Sequence, residues 1–254
     1  MKRIAIVTGA SSGMGKEFVR QITKKMPFLD EIWIIARRKE RLEEIAGDFS
    51  QSKIKILAMD LEKETSWKIY EEKLKEEMPK VLLLVNAAGY GKIGISQEIP
   101  WQEQTGMARL NCEALVAVTQ ITLPFIKKGG RIIEVASASA FIPQPGFNVY
   151  AASKAFVLSY ARALNQELKK DKISVTAVCP GPVETEFFER AQEIKETPAY
   201  KKFFRASKEK VVEKALDDAR KRKEVSVYGI AINAMRIAVK ILPHKLILKG
   251  FRCG

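Results

Sequence analysis

Three side chains in the middle of the chain have the types and spacing for moving a proton at an oxygen. Tyr150 and Lys154 stand four apart in Tyr150-Ala151-Ala152-Ser153-Lys154, a step that puts both on one face of a helix. A free phenol has a pKa of about 10 and is a poor base at neutral pH. A neighbouring ammonium favours the phenolate and is expected to lower that value. Such a pair can give or take a proton at a carbonyl or alcohol oxygen without any histidine. The preceding segment, Arg131-Ile132-Ile133-Glu134-Val135-Ala136-Ser137, reads as a strand ending in a hydroxyl residue. From that edge Ser137 can hydrogen-bond the same substrate oxygen.

A second constellation lies at the start of the chain. The first strand runs into Thr8-Gly9-Ala10-Ser11-Ser12-Gly13-Met14-Gly15, and a helical pattern follows from Lys16. Glycines in such a turn let backbone N–H groups approach a pyrophosphate at a helix N-terminus. The spacing is G-x-x-x-G-x-G rather than G-x-G-x-x-G, but it occupies the first strand–helix turn, where a dinucleotide phosphate binds in this kind of fold. The second strand ends Ile34-Ile35-Ala36-Arg37-Arg38. A carboxylate at this end would bond a ribose 2′-hydroxyl, whereas arginine accommodates a 2′-phosphate. Ala36 stands where the carboxylate would be and two arginines follow, so NADP(H) is expected over NAD(H).

The elements that must hold these groups are legible as alternation. Short, nearly continuous apolar runs at Ile4–Thr8, Glu31–Ala36, Lys53–Met59, Val81–Asn86, Arg131–Ala136, Ile173–Cys179 and Val225–Tyr228 suit strands buried on both faces. Amphipathic stretches such as Lys39–Phe49, Glu64–Met78 and Ala151–Leu168 separate them. Strict alternation over residues 1–180 predicts an α/β fold: one Rossmann-like, doubly wound domain over 1–254 with a mostly parallel sheet of about seven strands. Residues 184–223 break the alternation and are expected to form a helical insertion covering the substrate. Residues 230–254 form a C-terminal amphipathic extension.

Composition narrows the classes. The 254 residues are 46% hydrophobic and 29% charged, which is ordinary globular composition. No apolar run reaches the ~18 residues of a membrane span. The N-terminus is too short in its apolar part for a signal peptide and leads straight into a strand. Cys112, Cys179 and Cys253 form no short-spaced pair, which suits a reducing compartment, and a cytoplasmic location is expected. One histidine, His244, cannot supply a multi-histidine metal site, and no metal is expected. The net charge is +14, and residues 195–254 carry 16 basic against 6 acidic residues. That excess attracts anionic partners or solvates a face. No nucleic-acid recognition module accompanies it, so no nucleic-acid partner is expected.

The turn Thr8–Gly15, Asn86-Ala87-Ala88-Gly89, Asn111, Ser137, Tyr150/Lys154 and Pro180-Gly181 occur in an order and spacing that resembles the short-chain dehydrogenase/reductase family over about residues 1–190. The resemblance implies Tyr150 as general acid/base, with Lys154 lowering its pKa and bonding the nicotinamide ribose. It implies that Ser137 orients the substrate carbonyl and that Asn111 holds a water relaying protons to Lys154. The cofactor-binding set it implies is Gly9, Ser11, Ser12, Gly13, Met14, Gly15, Arg37, Arg38, Asp60, Leu61, Asn86, Ala87, Gly89, Tyr150, Lys154, Pro180, Gly181, Val183 and Thr185. Asp60 and Leu61 would line the adenine, and Pro180–Val183 with Thr185 would contact the nicotinamide amide. Two positions depart from the family pattern. Ala87 replaces an asparagine, and Ala136-Ser137 replaces a double serine. Ser139 lies near, but the thirteen-residue step to Tyr150 favours Ser137. Cys112 reads as a small buried residue rather than a nucleophile.

Family geometry would border the site with Ala138, Phe141, Ile142, Phe187 and Phe188, implying an apolar ketone or alcohol. The extended tail resembles a subgroup of short-chain reductases, some related to acyl or steroid carbonyl reduction. Its stretch Ile230–Leu242 is apolar apart from Asn233, Arg236 and Lys240. So wide an apolar face is expected to pack over the substrate site or at a dimer contact, with peripheral membrane contact as the alternative. A homo-oligomer, dimer or tetramer, is expected. The competing function on the same fold is a non-catalytic NADP(H)-sensing protein.

Overall fold

Strand β1 (Arg3–Thr8) is buried on both of its faces. Ile4 and Ile6 enter one apolar cluster, and Ala5 and Val7 enter another across the sheet. That two-sided burial is why its sequence is a continuous apolar run rather than an alternating one. The computed structural model describes residues 1–49, 54–191 and 206–248. Within them follow β2 (Glu31–Ala36), β3 (Ile54–Ala58), β4 (Lys80–Asn86), β5 (Ile126–Val135), β6 (Ser174–Val178) and β7 (Val225–Ser226). All pair in parallel in the order β3-β2-β1-β4-β5-β6-β7. This is the doubly wound, seven-stranded sheet the alternation predicts.

Helices cover both faces. On one side lie α1 (Gly13–Lys25), α2 (Lys39–Gly47) and α8 (Lys208–Arg220), burying Phe18, Val19, Ile22, Leu42, Ile45, Val212 and Ala215 against Ala5, Val7 and Ile34. On the other lie α3 (Glu64–Glu77), α5 (Ala114–Thr122) and α6 (Asn148–Glu167), burying Tyr70, Leu74, Val118, Val157 and Leu164 against Ile4, Ile6 and Trp33. Each fully buried large apolar side chain contributes about 1.5–3 kcal/mol. A short helix α4 (Trp101–Ala108) joins α5 through a π-helical turn, Arg109–Glu113. Three further helices, α7 (Phe187–Ala191), α9 (Ile230–Ile241) and α10 (His244–Leu248), lie outside the alternating pattern.

The order places β1 beside β4, so the connections leave β1 and β4 in opposite directions. A crevice opens at the carboxyl ends of the strands at this switch point. Two segments depart most from expectation. β5 begins at Ile126 rather than Arg131, because Lys127-Lys128-Gly129-Gly130 continues as strand with a register shift against β4. The stretch 184–223 divides: α8 packs on α1, β5 and β6 as the β6–β7 crossover, away from the crevice, and residues 192–205 lie outside the described residues. What remains near the crevice is the segment through α7.

Candidate active site

The glycine turn is forced by packing. Gly9 has φ +66°, and a Cβ there would stand 2.7 Å from Ala88 backbone atoms; at Gly15 it would stand 2.1 Å from the Gly9 carbonyl. Only glycine lets β1, the β4 turn and α1 approach so closely. Ser12 precedes α1 but makes no side-chain cap, and the first turn holds no acidic residue. The leading N–H groups of α1 and its positive dipole end therefore face the crevice unscreened by any carboxylate of the helix. The Thr8 hydroxyl accepts hydrogen bonds from Ala87 N (3.1 Å) and Ala88 N (3.2 Å), tying the turn after β4 to β1.

Arg37 and Arg38 flank the end of β2 as the sequence placed them. Arg38 Nη2 donates to Ser11 Oγ at 3.2 Å, and Arg37 lies 3.5 Å from Glu62. A third arginine, Arg41 in the first turn of α2, meets Glu186 at 2.7 Å, with Arg38 3.9 Å from the same carboxylate. Asp60 Oδ1 accepts from Glu62 N (3.1 Å), and the Trp67 indole donates to the Leu61 carbonyl (2.9 Å), which fixes the turn after β3. At the far side, Ala138 N donates to Pro180 O at 2.8 Å, joining the loops after β5 and β6.

Tyr150 and Lys154 project from α6 toward the end of β5. Lys154 Nζ donates to the Val135 carbonyl at 2.8 Å and lies 5.8 Å from the Tyr150 ring centre. The Tyr150 ring stacks on Phe147 at 4.3 Å and tilts against Phe187 at 5.3 Å. Its hydroxyl meets Ser137, whose Oγ also accepts from Ser139 N at 3.1 Å. The expectation that the ammonium lowers the phenol's pKa is corrected here. Burial pushes Tyr150 up to about 12, opposed only by the Ser137 hydrogen bond, and the same burial brings Lys154 down to about 8. Burial dominates both shifts, and the Lys154 ammonium, turned to the Val135 carbonyl, is not among the groups that move Tyr150. Burial also raises the Cys112 thiol, as befits an unreactive side chain.

One cleft of about 850 Å³ is lined by nearly every residue of the expected set: Gly9, Ser11–Gly15, Arg37, Arg38, Asp60, Leu61, Ala87, Gly89, Ser137, Tyr150, Lys154, Pro180, Gly181, Val183 and Thr185. Asn86 and Asn111 stand behind it instead. Asn86 ends β4 on the α5 side, where its amide donates to Thr119 (2.8 Å) and Glu134 (3.2 Å). Asn111, in the π-turn, accepts from Tyr90 N (3.0 Å) and donates to Tyr90 O (2.9 Å) and Ser153 Oγ (3.0 Å). Of the apolar border, Ala138, Phe187 and Phe188 line the cleft. Phe141 and Ile142 do not: Phe141 packs on the core beneath Arg236, and Ile142 is buried. The inner side of α9 supplies Ala231, Ile232 and Met235 to the cleft wall, and residues 249–254 of the extension lie outside the described residues.

Several participants were missed from sequence. Arg41, Glu186 and Phe147 line the cleft without a motif to mark them. Gly91 is required because a Cβ there would stand 2.8 Å from the Tyr150 ring. Glu134 had a readable signal: a lone carboxylate inside an apolar strand must be satisfied within the protein.

Residues 3–196 match the short chain dehydrogenase family, and the chain belongs to it. Sulfoacetaldehyde reductase 2 of Chromohalobacter salexigens is 33% identical over 195 residues, covering 74% of this chain and 75% of the relative. A very-long-chain 3-oxoacyl-CoA reductase of Phaeosphaeria nodorum is 32% identical over 68% of this chain, which spans 53% of that longer protein. Among solved structures, a short-chain dehydrogenase from Sphingobium yanoikuyae in complex with NADPH superposes with a TM-score of 0.82 at 26% identity, covering 99% of this chain and 97% of the other. The protein is thus an oxidoreductase of this family.

Proposed function

We propose that the protein is an NADP(H)-dependent oxidoreductase that interconverts a carbonyl and a secondary alcohol on an apolar substrate of ketone, acyl or steroid type. The observation that carries this reading is the convergence of Ser137, Tyr150, Lys154 and the glycine turn on one cleft. The residues present fit the cofactor. Gly9 and Gly15 let β1, the turn after β4 and α1 approach so closely that the leading N–H groups of α1 can face a pyrophosphate, and Ser11, Arg37 and Arg38 offer a hydroxyl and two guanidiniums for a 2′-phosphate. The relative in complex with NADPH supports the same choice.

When bound, the nicotinamide supplies hydride to the carbonyl carbon. Tyr150, kept protonated at neutral pH by burial, gives its proton to the carbonyl oxygen, and Ser137 orients that oxygen. Lys154 holds its positive charge below pH about 8, where it would stabilise the phenolate left behind and would bond the nicotinamide ribose. Asn111 would hold a water of the relay that reprotonates Tyr150. Asp60 and Leu61 would line the adenine, and Thr185 with the Pro180–Val183 backbone would meet the nicotinamide amide. Phe147, Phe187, Phe188, Ile232 and Met235 give the cleft an apolar wall, which favours a bulky hydrocarbon substrate over a small anionic aldehyde. The protein would act in the cytoplasm as a dimer or tetramer.

Thermal stabilisation by NADPH against NADH tests the cofactor, since a ligand at about 100 times its Kd raises stability by about 2.7 kcal/mol. A larger shift with NADPH, followed by turnover of bulky apolar ketones, is expected. Equal shifts would overturn the cofactor choice, and no oxidation of NADPH with any carbonyl would overturn the reaction.

A further inference from the structure

Four of the ten large apolar side chains exposed among the described residues fall within thirteen residues of the tail: Ile230 (91% exposed), Ile237 (61%), Ile241 (77%) and Leu242 (49%). The rest are dispersed over other elements, as single surface hydrophobics usually are. On α9, Ile230, Ala234, Ile237 and Ile241 follow steps of four, three and four, so they form one outward stripe. The helix is held from its other side. Ile232 and Met235 line the cleft, Arg236 lies 6.0 Å from the Phe141 ring, and Asn233 donates to Gly229 O at 3.0 Å. The stripe therefore does not face outward for want of anchoring.

Charge decides what would cover it. From Val225 to Gly254 the sequence has no Asp or Glu. Beside the stripe stand Lys240 and, just beyond the helix, Lys245, both exposed. A second copy packed about a two-fold axis would bring these cations together with no carboxylate of the segment to offset them. An anionic lipid surface satisfies both features at once: isoleucines enter the headgroup–acyl boundary while the ammonium groups meet phosphates.

We propose that the outer face of α9 is a docking surface for an anionic membrane. Docking this face would set the cleft mouth, walled by the opposite side of the same helix, at the lipid boundary. A membrane-dissolved carbonyl compound would then reach Tyr150 without crossing bulk water, a consequence that rests on the proposed function. The surface itself does not.

The full-length protein is sedimented with vesicles of phosphatidylcholine alone and of phosphatidylcholine mixed with phosphatidylglycerol, with its oligomeric state followed by light scattering. Binding is expected to the mixed vesicles only and to weaken with salt. Ile237→Glu with Ile241→Glu should reduce the bound fraction roughly tenfold, while turnover of a water-soluble carbonyl with NADPH stays unchanged. Ile237→Ser with Ile241→Ser serves the same comparison should the first pair fold poorly. No binding of the wild-type chain to mixed vesicles, or equal binding by the variants, would overturn the proposal. So would variants that split an oligomer and leave vesicle binding intact, which would assign the stripe to a second copy. A protein that binds vesicles but turns over no carbonyl would retain the docking surface and lose the proposed reaction.

Discussion

The carboxyl of Glu134 accepts a hydrogen bond from the Asn86 amide at 3.2 Å, beneath the sheet edge that carries the active-site groups. Thr119 donates to the same oxygen at 3.0 Å, and Oε2 has no hydrogen-bond partner among the described residues. Asn86 in turn lies 3.5 Å from the Thr8 hydroxyl that holds the Ala87–Ala88 turn. The acid is thus wired to the cleft wall. It is also wired to Lys154 electrostatically: burial pushes Glu134 up to about 8, the Lys154 ammonium draws it down, and the Glu134 carboxylate raises Lys154.

Glu134→Gln keeps the shape and removes the charge that the carboxylate takes on as pH rises through about 8. Cys112 and Cys179 are the other titratable groups acting on Lys154, and both thiols are held up by burial. Tyr160 on α6 is the remaining titratable neighbour that feels Glu134. Without the carboxylate, Lys154 gives up its proton at lower pH, so the alkaline fall of the reduction rate should move toward neutrality. Stability carries a second signature. A carboxyl raised in the folded state binds its proton more tightly than the unfolded chain does, so wild-type stability declines between about pH 5 and about pH 8. The variant should lack that component when Tm is followed across the same range; an unmoved rate profile and an unchanged slope would contradict the coupling.

Tyr150→Phe removes one oxygen and retains the ring that stacks on Phe147. Reduction should fall by roughly 10²–10⁴, the usual size of a lost general acid. NADPH affinity, measured by fluorescence titration, should change little, because the pyrophosphate turn and the arginines are untouched. Turnover at the wild-type rate would remove Tyr150 from the chemistry.

Glu186 presents a carboxylate to Arg41 and to Arg38, which itself donates to the Ser11 hydroxyl. A 2′-phosphate at that place would compete with it. Exposed ion pairs contribute about 0–1 kcal/mol, so Glu186→Gln should tighten NADPH by no more than about fivefold and leave NADH unchanged. Arg38→Ala should act oppositely, weakening NADPH alone. Calorimetric titration of both cofactors reads the difference, and parallel changes for NADH and NADPH would show that the carboxylate acts on something other than the phosphate.

The strands most legible in the sequence were those buried on both faces, because burial there leaves an uninterrupted apolar record: β1, β2 and β4 fall within a residue of expectation. β5 was cut short because Lys127-Lys128-Gly129-Gly130 has no apolar run to record it, Lys128 and Gly129 being exposed. Tyr150, Lys154, Ser137 and the glycine turn were legible because local spacing carries them. Arg41 and Glu186 were not, since 145 residues separate them and only the fold brings them together. Asn86 was legible as part of a motif, but not its contacts with Thr119 and Glu134 behind the cleft, since the pattern does not say which way the last residue of a strand points. The pKa of Tyr150 was misjudged because sequence displays the neighbouring charge and hides the burial.

Gly89 offers the sharpest steric test of how the site is held. A Cβ at this position would stand 2.8 Å from Asn111 Oδ1 and 3.3 Å from Lys154 Nζ. Asn111 cannot readily retreat, because Tyr90 N, Tyr90 O and Ser153 Oγ hold it from three directions. Overpacking of this kind costs about 1–3 kcal/mol, or a few degrees of Tm in a domain of this size. Gly89→Ala should therefore lower Tm and lower kcat together, as the methyl displaces either the amide or the ammonium. At Gly47, which ends α2, a Cβ would meet nothing within 4 Å, and the backbone there is one that other residues adopt. Gly47→Ala should leave kcat at the wild-type value and keep or slightly raise Tm, so that a loss confined to position 89 reports crowding at Asn111 and Lys154 rather than a general cost of replacing glycine. Wild-type Tm and turnover in Gly89→Ala would mean that the contact is looser than these distances require.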